Sequence, residues 1–256
     1  FRRVLFRSVE ALNGLTLNNA GGKIGGLFAG ISVHGAAGDI ANSGSIGRIS
    51  GADPENADGI ELVLGGTVTN ASGGTVSGLN SGILASALAT VVNAGMISGA
   101  NYNAVAIVQG GTVINQTGGT LSSTGAPTAT PSVGYAVYAA NSASTVVNAG
   151  VIAGTGAGGI DLYRASGIVG NLVGGVISGA TVGVRVREGV ATVSNAGTIA
   201  GGATAVALSV GYANRVIVDA GATFIGKVDG GNTVGALASS TLELTSTGSA
   251  GTLASL

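Results

Sequence analysis

Val91-Val92-Asn93-Ala94-Gly95-Met96-Ile97-Ser98-Gly99 is a phrase the chain repeats. It returns as Val146-Val147-Asn148-Ala149-Gly150-Val151-Ile152-Ala153-Gly154 and as Val193-Ser194-Asn195-Ala196-Gly197-Thr198-Ile199-Ala200-Gly201. Its asparagine marks a register that runs through Asn42, Asn70, Asn93, Asn115, Asn148, Asn171 and Asn195, with Asp219 as a weaker eighth marker. The interval is about 23 residues, stretched in two coils by insertions. At such a period one small structural unit stacks on copies of itself.

The apolar residues inside each unit alternate. Ile60, Leu62 and Leu64 interleave with Glu61 and Val63, Ile160 and Leu162 with Asp161 and Tyr163, Val184 and Val186 with Arg185 and Arg187. A period of two is the mark of a strand with one face buried. The 49 glycines would each cost roughly 1 kcal/mol in a helix interior. Short strands turning at Gly-Gly and Gly-Asn corners accommodate them. Each unit offers three such strands: the phrase itself, an alternating run such as Ala104-Val105-Ala106-Ile107-Val108, and a Gly-Gly-Thr-Val segment leading into the next Asn. The expected fold is therefore all-β: a right-handed parallel β-helix (a β-solenoid) with three short strands per coil and about eight coils. At about 4.8 Å per coil it makes a rod roughly 40 Å long. Val and Ile should fill the interior. The corner Asn should bond to the Asn one coil away in a ladder, and the Gly after it should supply a positive φ.

Composition narrows the function. Charged residues are 8% of the chain and aromatics 4%, against roughly a quarter charged in ordinary soluble domains. The surface must then be carried by Ser, Thr, Asn and Gly. No 18-residue apolar run exists, so no helix of membrane-spanning length is expected. With no Cys and one His, zinc-type sites are out of reach. Gly65-Gly66-Thr67 and Gly110-Gly111-Thr112 lack the Lys and the helix a phosphate loop needs, and read as corners.

Residues 1–8, Phe1-Arg2-Arg3-Val4-Leu5-Phe6-Arg7-Ser8, stand outside the pattern. All eight match one reading frame of a common sequencing-adapter strand, and they read as adapter-derived. Amplifying the locus from source DNA checks this. Without Arg2, Arg3 and Arg7 the net charge falls from −1 to −4, so the basic start is no nucleic-acid arm. Residues 9–256 are expected to form a single solenoid, an internal stretch of a longer protein without terminal caps. Its open ends should template further strands, so the fragment is expected to self-associate end to end.

The phrases at Asn93, Asn148 and Asn195 resemble the passenger region of autotransporters, the type V secreted proteins of Gram-negative bacteria. So do Val216-Ile217-Val218-Asp219-Ala220-Gly221, Asn232-Thr233 and Leu242-Glu243-Leu244. The resemblance spans about residues 13–256. It implies a rod on the cell surface or outside the cell, export from the C-terminus, and an outer-membrane barrel downstream.

Side chains for chemistry are few. Asp53, Glu55 and Asp58 form an acidic insertion, a weak calcium candidate whose plain reading is a solvated loop. Asp229-Gly230-Gly231-Asn232 is similar to a glycine-rich calcium repeat but occurs once. His34 reads as an exposed or edge residue in a disordered first coil. The Pro/Thr insertion at 125–132 reads as a protruding loop. A regular outward Thr lattice, which ice binding needs, is not expected, because the outward positions vary. Aligning Ile160-Asp161-Leu162-Tyr163-Arg164 with Val184-Arg185-Val186-Arg187-Glu188 sets Asp161 opposite Arg185, Tyr163 opposite Arg187 and Arg164 opposite Glu188 on the outer face. That patch reads as a register-fixing ladder or as a small contact site for a glycan. The expected function is a structural or adhesive surface rod meeting a glycan or a host or matrix protein, with no enzymatic activity, no cofactor and no nucleic-acid partner. The rival is a polysaccharide lyase or glycoside hydrolase on the same scaffold.

Overall fold

A computed structural model describes residues 8–26, 28–48, 57–126 and 133–245. Residues 1–7, Asp53, Glu55 and positions 127–132 lie outside the described residues. Every regular element among those described is a strand, and all pairings are parallel. One face of the rod is a sheet of ten strands: Leu15–Asn19, Gly38–Asn42, Gly66–Asn70, Ala89–Asn93, Gly111–Asn115, Ser144–Asn148, Gly167–Asn171, Ala191–Asn195, Arg215–Val218 and Thr241–Leu244. We call it the Asn face. The phrase strands, such as Met96–Gly99, and the alternating strands, such as Val105–Ile107, form the other two faces. These two merge into one sheet because Thr198–Ala207 runs through the corner and pairs with both Val176–Gly179 and Val182–Arg187.

The fold is a parallel β-solenoid with three strands per coil, and it has ten coils rather than eight. The Asn count missed one coil at each side. The first is marked by Asn19, whose corner is longer than the phrase. The last, Thr241–Leu244, carries no Asn.

Inward residues stack like on like. Val68, Val91, Val113, Val146, Val169 and Val193 face one another along the Asn face, and Val76, Ile97, Leu121, Ile152, Ile177 and Ile199 along the phrase face. All are at most 1% exposed. The asparagines form the predicted column: Asn19, Asn42, Asn70, Asn93, Asn115, Asn148 and Asn171 each donate Nδ2 to the Oδ1 of the next, at 2.7–2.9 Å. Asp219 is not the eighth rung. Val218 occupies the position beside Asn195, and Asp219 lies one residue past it, accepting from Ser194 Oγ and Thr245 Oγ1.

The glycine of the phrase serves a different purpose from the one expected. Gly95, Gly150 and Gly197 do not have positive φ. A Cβ on any of them would sit 2.2 Å from a carbonyl oxygen of the neighbouring coil, that of Gly74, Gly119 or Gly175. Close coil approach excludes a side chain there. Positive φ appears in the longer corners, at Gly73, Gly118 and Gly174.

The alternating face changes along the rod. Its strands are three residues long at Ile31–Val33, Ile60–Leu62, Ile83–Ala85 and Val105–Ile107, then six at Tyr135–Ala140, Gly158–Tyr163 and Val182–Arg187. Leu64 falls beyond the end of its short strand and is exposed, not buried with Ile60 and Leu62.

Candidate functional site

The charged residues gather where the alternating strands are longest. Ile160, Leu162, Val184 and Val186 point into the core and are at most 2% exposed, so Asp161, Tyr163, Arg185 and Arg187 are turned to the outer face. Backbone register sets Asp161 beside Arg185 and Tyr163 beside Arg187. Arg185 donates Nε to Asp161 Oδ1 and Nη2 to Oδ2, both at 3.0 Å. Arg187 also grips Asp161 with two bonds, Nε to Oδ1 at 3.1 Å and Nη2 to Oδ2 at 2.6 Å. One carboxylate thus sits beneath two guanidinium forks, with no exposure of its own.

Aromatic rings back the cations. Arg187 lies 4.3 Å and Arg164 4.9 Å from the centre of the Tyr163 ring, and Arg185 lies 4.6 Å from that of Tyr135. Such contacts hold a guanidinium in place. Burial by itself would lower the Arg187 pKa, but the hydrogen bond to Asp161 and its charge raise it above the ordinary value. Burial pushes the Tyr135 phenol up to about 12, against the pull of the Arg185 charge, so it stays neutral at physiological pH.

Tyr135 was not among the residues singled out from sequence. It comes from the coil before Asp161, where its register partner is Gly158. A Cβ on Gly158 would lie 2.3 Å from Tyr135 Cε1. The glycine leaves room for the ring, and a three-coil alignment pairing a large aromatic with Gly carries that signal.

Arg164 pairs with Glu188 at 3.0 Å on the exposed corner. Both have positive φ, 54° and 57°, as does Asn141 one coil earlier, at 63°. Gly35 occupies the corresponding corner of an early coil, with φ 73°. Left-handed backbone disfavours Cβ-bearing residues, so the late coils hold two charged side chains at a position suited to glycine.

The other candidates resolve separately. Asp58 of the acidic insertion is 6% exposed, and its Oδ1 accepts from the Ser81 backbone N–H at 2.7 Å. Among the described residues no group of three or more His, Asp or Glu is placed to hold a metal. Asp229 is held by the Gly231 N–H and by Lys227, whose bond keeps its carboxyl below the usual range. His34 follows the paired strand Ile31–Val33 and is half-buried. Its Nε2 lies 2.8 Å from Ser32 Oγ, which donates to Glu61 Oε2 at 2.7 Å. Ser32 has one proton to give, and it goes to Glu61. The His34 tautomer with its proton on Nε2 completes this chain by donating to Ser32. Thr67, Thr90, Thr112 and Thr145 stack outward in a single file on four successive coils of the Asn face, bounded by Asp39 and Ile168.

Asp58 makes stability depend on pH. Burial, aided by the nearby Glu61 charge and opposed by the Ser81 bond, raises its pKa from 3.8 to about 6. The fold therefore holds this proton better than the unfolded chain does. That contribution is complete below 3.8 and is lost as pH rises through about 6. Asp58→Asn keeps an acceptor for Ser81 and removes the buried charge. It is expected to stabilise the protein by about 2–3 kcal/mol at pH 8 and to bring no such gain at pH 4. Denaturant titrations at both pH values check this, and an equal difference at both would reject it.

No family model, no curated protein and no solved structure matches the chain. Fold and site together define a parallel β-solenoid with an Asn column inside and one arginine–tyrosine patch outside.

Proposed function

We propose that the chain is the rod of an exported surface protein of the autotransporter passenger kind, and that its work is structural and adhesive. One observation carries the reading: an Asn column that bonds without interruption from Asn19 to Asn195, through seven coil-to-coil steps. Each coil is thereby tied to its neighbours by side chains as well as by backbone, which suits a stiff spacer holding a contact site away from its anchor. Stability then grows coil by coil, without disulfides. The charge-poor coat leaves the arginine–tyrosine patch as its most distinctive chemistry, and a surface glycan or matrix protein is its proposed partner.

The rival reading, a polysaccharide lyase or glycoside hydrolase, needs a carboxylate or another base that can exchange a proton with substrate. Asp161 already accepts four N–H bonds and has no exposed surface. Guanidiniums bind but do not act as bases near neutral pH. The patch has the chemistry of recognition.

The test is antibody labelling of intact cells that carry the gene, using serum raised against residues 57–245. Labelling without permeabilisation, or antigen in the medium, is the expected result. Labelling that requires permeabilisation would overturn the proposal.

A further inference from the structure

Arg164, Arg185 and Arg187 face Asp161 and Glu188, so three cations meet two carboxylates. The patch carries one unit of positive charge on a chain whose formal net charge is −1. Arg164 and Glu188 offset each other at the exposed corner. Asp161 is divided between two guanidiniums, and both of its oxygens are saturated. Arg187 gives Asp161 two of its five N–H donors. The other three meet no acceptor among the described residues, and the side chain is 23% exposed. Asp161 and the Tyr163 ring fix this guanidinium from two directions. The left-handed corners of Arg164 and Glu188 lie beside it, where the backbone tolerates poor conformations to hold charged groups.

We infer that the open side of the Arg187 guanidinium is an oxyanion site for an acidic polysaccharide, taking the carboxylate of a sugar acid. A planar fork matches a carboxylate with paired, charge-assisted bonds. The side chain is already ordered, so binding costs little rotamer freedom. A single anion site on a charge-poor rod suits a polymer with widely spaced charges. A nucleic acid, with its dense phosphates, rewards a run of cations instead. The choice of a sugar polymer rests on the proposed surface role; the anion site rests on the geometry alone.

Calorimetry on the full chain, with polygalacturonate as probe at low salt, tests this. Saturable binding that weakens as salt is added is expected. Fully methyl-esterified polygalacturonate, the same sugar without its charge, should bind at least about tenfold more weakly. So should Arg187→Gln. Arg187→Lys keeps the ion pair with Asp161 and loses the fork, which separates recognition from folding. It should also bind several-fold more weakly, with circular dichroism unchanged. No binding at millimolar sugar acid, or equal binding by either variant or by the methyl ester, overturns the inference. Tighter binding to dextran sulfate reassigns the site to sulfate, and equal binding to polyglutamate removes the sugar; either overturns the assignment made here. Cell labelling is read independently, so the surface role and the anion site can fail separately.

Discussion

Asn148→Leu is expected to destabilise the rod by about 2–4 kcal/mol, the cost of two buried polar groups left without partners. Asn148 Oδ1 accepts from Asn115 Nδ2 at 2.8 Å and from the Gly150 N–H at 3.2 Å. Its Nδ2 donates to Asn171 Oδ1 at 2.9 Å and to the carbonyls of Gly150 and Val176 at 3.1 Å each. Leucine keeps the branched skeleton, is bulkier, and supplies none of these bonds. Asn115 retains the carbonyls of Gly119 and Val151, but the Gly150 N–H and the Asn171 oxygen both lose their partner. Asn195→Leu provides the comparison. Asn195 ends the column, because Val218 stands beyond it, and its Nδ2 reaches only the Thr223 carbonyl. Its loss leaves the Gly197 N–H without its acceptor, while Asn171 Nδ2 keeps the carbonyls of Gly175 and Thr198, and should cost less. Hydrogen exchange of the flanking coils reads both variants locally, since a solenoid need not unfold in one step. Equal costs at the two positions would show that the column is no more than a row of separate corners.

The fold was legible because stacking writes one rule into the sequence many times. A residue that must face its own counterpart one coil away recurs at the coil length, so Val91, Asn93 and Ile97 announce both period and interior. The same logic explains what was missed. The coil of Thr241–Leu244 lacks the marker, so a count of asparagines stops short of it. Asp219 looked like a rung by chemistry and spacing, yet this coil is one residue shorter than the one before it, and the position falls to Val218. The glycines were legible as necessary but not as to cause. A one-dimensional sequence does not separate a forbidden φ from a carbonyl 2.2 Å away on another coil, and the phrase glycines answer to the second.

The patch was partly legible for a related reason. Pairing two adjacent coils sets Asp161 on Arg185, Tyr163 on Arg187 and Arg164 on Glu188, because parallel register fixes neighbours. Side chains then lean beyond their own row. Arg187 crosses diagonally to Asp161, and Tyr135 reaches Arg185 through the gap at Gly158. Register predicts rows, while long side chains find diagonal partners. The Ser32–Glu61 bond was overlooked for another reason: it is a row contact, but it joins coils separated by an insertion, where the spacing gives no hint.

Asp161→Ala should cost about 2–4 kcal/mol at neutral pH and low salt. Removing one member of a buried ion pair costs about 3–5 kcal/mol, because the partner's charge is stranded. Here two guanidiniums are stranded facing each other. The estimate is reduced because Arg185 and Arg187 are 26% and 23% exposed and water screens them in part. The deficit should shrink as salt rises. Replacing all three charges, with Asp161→Leu, Arg185→Met and Arg187→Met together, should recover much of the loss, since a packed apolar cluster often equals a buried ion cluster in stability. That comparison separates two reasons for the triad to exist. If it serves only to fix the coils, the triple variant should remain folded and lose nothing else. If it orders Arg187 for an acidic ligand, the triple variant should remain folded and cease to bind polygalacturonate. A single variant as stable as the parent, or a triple variant no more stable than the single one, would mean that the three side chains are not coupled.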